Sequence, residues 1–179
     1  MTTPEQIVLM AAYNAHMNRQ LYAAAARLPH AELAADRQAF FGSILGTLNH
    51  LLSGDTIWLK RFAAHASRPA ALAPMDDVAA PSGLAHSFGD DLPALLVQRL
   101  HRDAVITQWA AGIDAADLLL PLEYRSTRGD LYRKNFGAVI VHFFNHQTHH
   151  RGQVSTLLTQ AGVDLGVTDL IAMVPDVAG

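Results

Sequence analysis

The sequence predicts an all-α fold, a four-helix bundle with one long crossover connection. Three observations carry this: four long segments hold apolar residues at helical spacing, start and stop signals sit at their ends, and a stretch from residue 67 to residue 89, punctuated by Pro69, Pro74, Pro81, Gly83 and Gly89, separates the second segment from the third. Residues 1–179 read as one domain, and a chain of 179 residues can bury a core without staples.

Thr3-Pro4-Glu5-Gln6 opens the first helix. Thr3 caps it, Pro4 suits the first helical position and Gln6 completes a capping box. The run continues, rich in Ala, Leu and Met, to about Arg27, and Leu28-Pro29 stops it. A second helix is expected from near Ala34 to Ala64, with Phe41, Ile44, Leu45, Leu48, Leu52 and Leu59 on one face. After the long connection a third helix runs from about Leu92 to Ala111, with Leu95, Leu96, Leu100 and Ile106 as its core residues. Residues 114 to 130 read as extended chain with a turn at Gly129. A fourth long helix runs from about Asn135 to Ala161, and Gly162 supplies its C′ residue. Leu170, Ile171 and Met173 mark a short helix in the tail.

Half of the residues are hydrophobic and 16% are charged, so the chain is globular rather than disordered. The net charge of -3 offers no basic excess to neutralise phosphates, so no nucleic-acid partner is expected. There is no cysteine, which excludes disulfides, thiolate ligands and a cysteine nucleophile. The N-terminus lacks the basic start and apolar run of a signal peptide, and no stretch reaches the apolar length of a membrane span. A cytoplasmic protein with no membrane association is the expectation.

Histidine, at 10 copies, is the unusual residue. His142, His146 and His150 recur at i, i+4 and i+8, which places them one turn apart on one helix face. A pair at i, i+4 can aim two imidazoles at one ion. Spacing alone says little, since about half a pair is expected by chance at this histidine content. Position adds to it. Phe136, Val139, Phe143, Val154 and Leu157 mark the apolar stripe; His150 falls inside it, His146 at its edge, and His142 and His149 further round. Inward-facing imidazoles need partners for their ring nitrogens, and a shared ion supplies them, as does a carbonyl or carboxylate for each histidine separately.

A third ligand has to come from another helix, and His16, His50, His65, His86 and His101 are the candidates. His50 lies off the stripe of Phe41, Leu45 and Leu48, on a face with Ser43, Gly46 and Gly54. Periodicity does not select it over an exposed or boundary histidine.

The segments Leu48-Asn-His-Leu-Leu-Ser-Gly-Asp-Thr-Ile-Trp-Leu-Lys-Arg-Phe62 and Asn145-His-Gln-Thr-His-His-Arg-Gly-Gln153, with the opening Tyr13-Asn14 and Asn18, resemble those of the DinB family. The likeness spans nearly the whole chain in order and spacing. It implies a four-helix bundle with a three-histidine metal site, one ligand from the second helix and two from the i, i+4 pair on the last long helix. Those positions here are His50, His146 and His150. The resemblance further implies one divalent metal ion, zinc or nickel, and a homodimer.

Three neutral imidazoles leave the ion with open coordination positions for water or substrate. Gln147 stands where a zincin-type protease motif has its glutamate, so that chemistry is not expected. Asn14, Asp55, Gln147 and Gln153 are the candidates for orienting the imidazoles. Arg151 reads as a solvated or salt-bridged helix residue, His149 as a surface or supporting residue, and Trp58 and Tyr13 as packing residues. Proton competition is expected to empty the site as pH falls through about 6.5, the unperturbed histidine value. The expected function is that of a metal-dependent enzyme acting on a small-molecule substrate, in the resemblance a transferase using a low-molecular-weight thiol. The alternatives are a non-catalytic divalent-metal-binding stress-response protein and a helical dimer with incidental metal.

Overall fold

Four long helices dominate the computed structural model, which describes residues 2–67 and 69–176. α1 spans Pro4–Ala25. Its capping box forms as its sequence requires: Gln6 N–H donates to Thr3 Oγ1 at 3.3 Å, and Thr3 N–H donates to Gln6 Oε1 at 3.0 Å. A short helix, α2, covers His30–Ala34.

The second long helix, α3, is Ile44–Ala63, ten residues shorter at its start than its apolar pattern suggests. The chain from 36 to 43 forms a tight turn instead. Gln38 and Gly42 take left-handed backbone angles, with φ of 55° and 74°, which a helix cannot contain. Ser43 then caps α3, its Oγ accepting from Gly46 N–H at 3.0 Å. Phe41 therefore belongs to the turn, not to the helix stripe.

The crossover from 64 to 91 carries a 3-10 turn at Ala70–Met75 packed on α3 and on the long helix that follows. α4 spans Leu92–Ala111, capped by Asp91, whose Oδ1 accepts from Ala94 N–H at 2.7 Å. Leu100 is exposed and Leu96 only half-buried, contrary to the expectation for both; Arg99, Arg102 and Asp103 lie buried on this helix beside Leu95 and Ile106.

A two-stranded antiparallel hairpin departs from the all-α expectation. β1, Pro121–Arg125, pairs with β2, Leu131–Asn135, with Tyr124 opposite Tyr132 and Gly129 at φ 93° in the turn. Leu122 anchors it in the core. Asn135 then caps α5, Phe136–Gln160. α5 ends in a Schellman motif: Val163 N–H donates to Leu158 O at 2.9 Å and Gly162 N–H to Thr159 O at 2.9 Å, with Gly162 at φ 78°. A 3-10 turn at Leu170–Met173 follows. No described helix is long and apolar enough to cross a membrane.

α1 and α3 each pack against both α4 and α5. The core has two apolar parts. Leu21, Leu48, Leu52, Leu95, Val154 and Leu158 fill one end, and Leu59, Phe62, Ile106, Trp109, Phe136 and Phe143 the other. Each long helix turns polar at the level between them: Asn14 and Asn18 on α1, Asp55 and Thr56 on α3, Arg99, Arg102 and Asp103 on α4, Gln147 and Arg151 on α5, all buried. Buried charges persist only when paired. Arg99 bonds Asp55 and reaches Asp103 at 3.0 Å, Asn18 donates to Asp103 Oδ1 at 2.9 Å, and Arg102 Nε donates to Thr56 Oγ1 at 3.0 Å.

Candidate metal centre

His50 leaves α3 towards α5 at the edge of this polar layer, and meets His146 and His150 there. His50 Nε2 lies 3.2 Å from His146 Nε2 and 3.0 Å from His150 Nε2. His50 and His150 are buried and His146 is half-buried. Among the described residues these three form the one group of three or more histidine or acidic side chains whose ligand atoms all lie within 4.8 Å of one another.

The opposite ring nitrogens fix which tautomer faces inward. His50 Nδ1 lies 2.8 Å from the Leu84 carbonyl, which accepts only from a protonated Nδ1, so Nε2 carries the lone pair. His150 Nδ1 lies 2.7 Å from Gln153 Oε1 and is protonated for the same reason. His146 Nδ1 is buried without a partner. The lone pairs of His50 and His150 face each other at 3.0 Å, with His146 Nε2 3.2 Å from the first, and the two lone pairs repel unless a cation lies between them. With Zn–N bonds of about 2.0–2.1 Å, nitrogen separations are about 2.9 Å for octahedral and about 3.3 Å for tetrahedral ligation, and the two observed separations fall in that interval. The donor set fits a divalent ion.

The imidazoles are also neutral. Burial lowers the pKa of His50 to about 4 and that of His146 to about 3, the neighbouring imidazoles adding to the shift at His146; burial lowers that of His150 as well. Proton competition therefore sets in well below the ordinary histidine range.

Packing holds the rings. Phe41, from the turn before α3, stacks on His50 with ring centroids 3.8 Å apart and planes at 16°. Asn49 ties the segment that carries Leu84 to α3: its Nδ2 donates to Gly89 O at 2.9 Å and its Oδ1 accepts from Phe88 N–H at 2.6 Å. Neither residue is singled out by the sequence; an Asn beside an inward histidine is the signal for the second, and a non-helical aromatic has none. Gly46 is required by that turn, since a Cβ there would lie 2.0 Å from the Phe41 carbonyl.

Of the residues expected to support the imidazoles, Gln153 bonds one. Asn14, Asp55 and Gln147 do not: Asn14 bonds Asp103 and Arg151, Asp55 bonds Arg99, and Gln147 is fully buried with both amide atoms unpartnered. Their place is the buried polar layer between the two apolar parts of the core. Arg151 is buried rather than solvated, donating to Asn14 and to Thr148 Oγ1 at 3.2 Å. His149 is exposed, 3.4 Å from Gln153 Nε2, and His142 is exposed beside Trp58. Tyr13 donates to the Thr168 carbonyl at 2.6 Å. His16 and His101 are exposed, His65 stacks on Phe136, and the His86 ring bonds Ser82.

A mostly helical chain with three converging, neutral imidazoles belongs to the class of helical proteins with a histidine site that could hold a metal. The DinB family model matches residues 1–174, and the chain belongs to the DinB family. It is 24% identical over 157 residues to Protein DinB of Bacillus subtilis (strain 168), an alignment covering 88% of this chain and 87% of that protein. No solved structure matches.

Proposed function

We propose that this DinB-family chain is a metal-dependent enzyme acting on a small molecule, with His50, His146 and His150 holding one divalent ion, zinc or nickel, inside a four-helix bundle. The observation that carries the reading is the convergence of the His146 and His150 Nε2 atoms on His50 Nε2, at 3.2 and 3.0 Å, while Leu84 O and Gln153 Oε1 take the Nδ1 protons of His50 and His150. When bound, the ion supplies Lewis acidity, lowering the pKa of a coordinated water or thiol or polarising a carbonyl.

The chain's own residues do the rest. Neutral imidazoles leave the ion's full charge for substrate. Phe41 covers one face of His50 and keeps water from it. The partial exposure of His146 leaves the approach on that side open. The reaction class proposed is transfer of a group to or from a low-molecular-weight thiol, as the family resemblance implies, and a homodimer is the proposed assembly, tested by light scattering on a sizing column.

A screen of small thiols against electrophiles, run on metal-loaded protein, metal-free protein and His150→Ala, tests the function. Turnover confined to the loaded wild type supports it. A bound metal without turnover across the screen moves the reading to a non-catalytic divalent-metal-binding protein.

A further inference from the structure

Aromatic contacts between α3 and α5 continue past the histidines. One helical turn beyond Gly54 and His146, Trp58 of α3 and His142 of α5 meet with ring centroids 5.3 Å apart, and His142 lies 6.2 Å from His146. Tyr124 of β1 closes the far side, 5.3 Å from Trp58. The guanidinium of Arg61 lies 4.6 Å from the Trp58 ring and 4.7 Å from the Tyr124 ring. Side-chain contacts therefore run without a break from the imidazoles to this cation.

Arg61 is half-buried and has spare donors. It donates Nη2 to the Arg125 carbonyl at 2.9 Å and, among the described residues, pairs with no carboxylate. Glu123, on the same strand as Tyr124, is taken by Arg133 at 3.1 Å. Burial disfavours the charge on Arg61, and among the described residues no carboxylate pairs with it to offset that cost. Yet a guanidinium stays charged at neutral pH, and it presents five N–H donors in a planar fork. The two aromatic walls fix the plane of that fork, so little rotamer freedom is lost when an anion docks.

We propose that Arg61, Trp58, Tyr124 and His142 form a carboxylate-binding subsite that anchors the anionic end of a small-molecule substrate whose reacting group lies at His50, His146 and His150. The proposal rests on the reading of those histidines as the reactive centre. One guanidinium matches one carboxylate in charge and in fork geometry, whereas a phosphate dianion calls for more than one cation. Trp58 is two helical turns beyond His50, about 12 Å along the axis at 1.5 Å per residue. The substrate class is then a small carboxylic acid with its reacting group on the order of 10 Å from the carboxylate. In the thiol reading that group is the thiol.

Cobalt(II)-loaded protein titrated with ω-mercaptoalkanoates of increasing length, against mercaptoalcohols of the same lengths, tests this. Cobalt absorption reports the thiol end. Tryptophan fluorescence reports the other, because Trp58 lines the subsite while Trp109, the second tryptophan, is buried in the core. The expected result is binding of the acid tighter than the alcohol by about tenfold or more at a preferred length, with Arg61→Gln removing the preference and leaving the cobalt spectrum unchanged. Equal affinity for acid and alcohol in the wild type, or a preference that survives Arg61→Gln, overturns it. If cobalt does not bind, the metal reading fails on its own; alkanoates against alkanols on the metal-free protein then decide the subsite, an Arg61-dependent fluorescence change supporting it and no change overturning it.

Discussion

Gly54 on α3 gives its side-chain space to His146 on α5: a Cβ at Gly54 would lie 2.7 Å from His146 Cε1 and 3.2 Å from its Nδ1. Real Cβ atoms do not approach that closely, so Gly54→Ala moves the imidazole. The expected outcome is a folded protein with metal affinity lower by about tenfold or more, the scale of losing an orienting contact. Competition titration with a chromophoric chelator measures it, and an unchanged affinity would show that His146 is not held as a ligand.

Loss of a ligand should cost more. His50→Ala, His146→Ala and His150→Ala are each expected to weaken metal binding severely, while His30→Ala and His86→Ala leave it intact. A larger loss from His142→Ala or His149→Ala than from His146→Ala would place the ion on the wrong face of α5.

Gln153→Ala and Asp55→Asn should separate support of the site from support of the fold. Gln153 fixes the His150 tautomer, so its removal is expected to lower metal affinity by about 10–100-fold with little change in melting temperature. Asp55 is fully buried against Arg99, so its neutralisation leaves a buried guanidinium short of its partner, costing about 3–5 kcal/mol of stability. Chemical denaturation and metal titration on both variants read the two effects, and a metal-specific loss in Asp55→Asn would return that residue to the site.

The pH profile follows from the lowered histidine pKa values. In the metal-free protein the folded-state values lie below the unfolded value of about 6.5. As pH falls past that point the unfolded chain takes up protons that folded His50 and His146 refuse, so stability declines from about pH 6.5 towards about 4 and 3, where the folded imidazoles protonate too. Bound metal meets the same competition only near those lower values. Dialysis is expected to find the metal retained at about pH 6 and lost at about pH 3–4. Release centred near pH 6.5 would mean that the imidazoles are not desolvated.

Much of this was legible in the sequence, because periodicity reports burial. The stripe of Phe136, Val139, Phe143, Val154 and Leu157 places His150 inside and His146 at the edge, and the fold keeps that order. Cap residues marked the ends of α1 and α5 within a residue or two. The start of α3 was hidden because Phe41 continues an apolar spacing that the left-handed Gln38 and Gly42 interrupt. Arg99 and Arg102 were hidden because charge on an amphipathic helix normally faces water, and what makes their burial tolerable lies largely on another helix: Asp55, with Asp103, for Arg99 and Thr56 for Arg102. His50 was reached through family resemblance alone; what selects it physically is the carbonyl of Leu84, 34 residues away, and the ring of Phe41.

The central claim is that three imidazoles hold one ion, and elemental analysis of protein purified without an affinity tag tests it most directly. The account predicts up to one equivalent of a divalent metal per chain, falling to background in His150→Ala. No zinc, nickel or manganese bound after reconstitution, or the same metal content in His150→Ala as in the wild type, would contradict it.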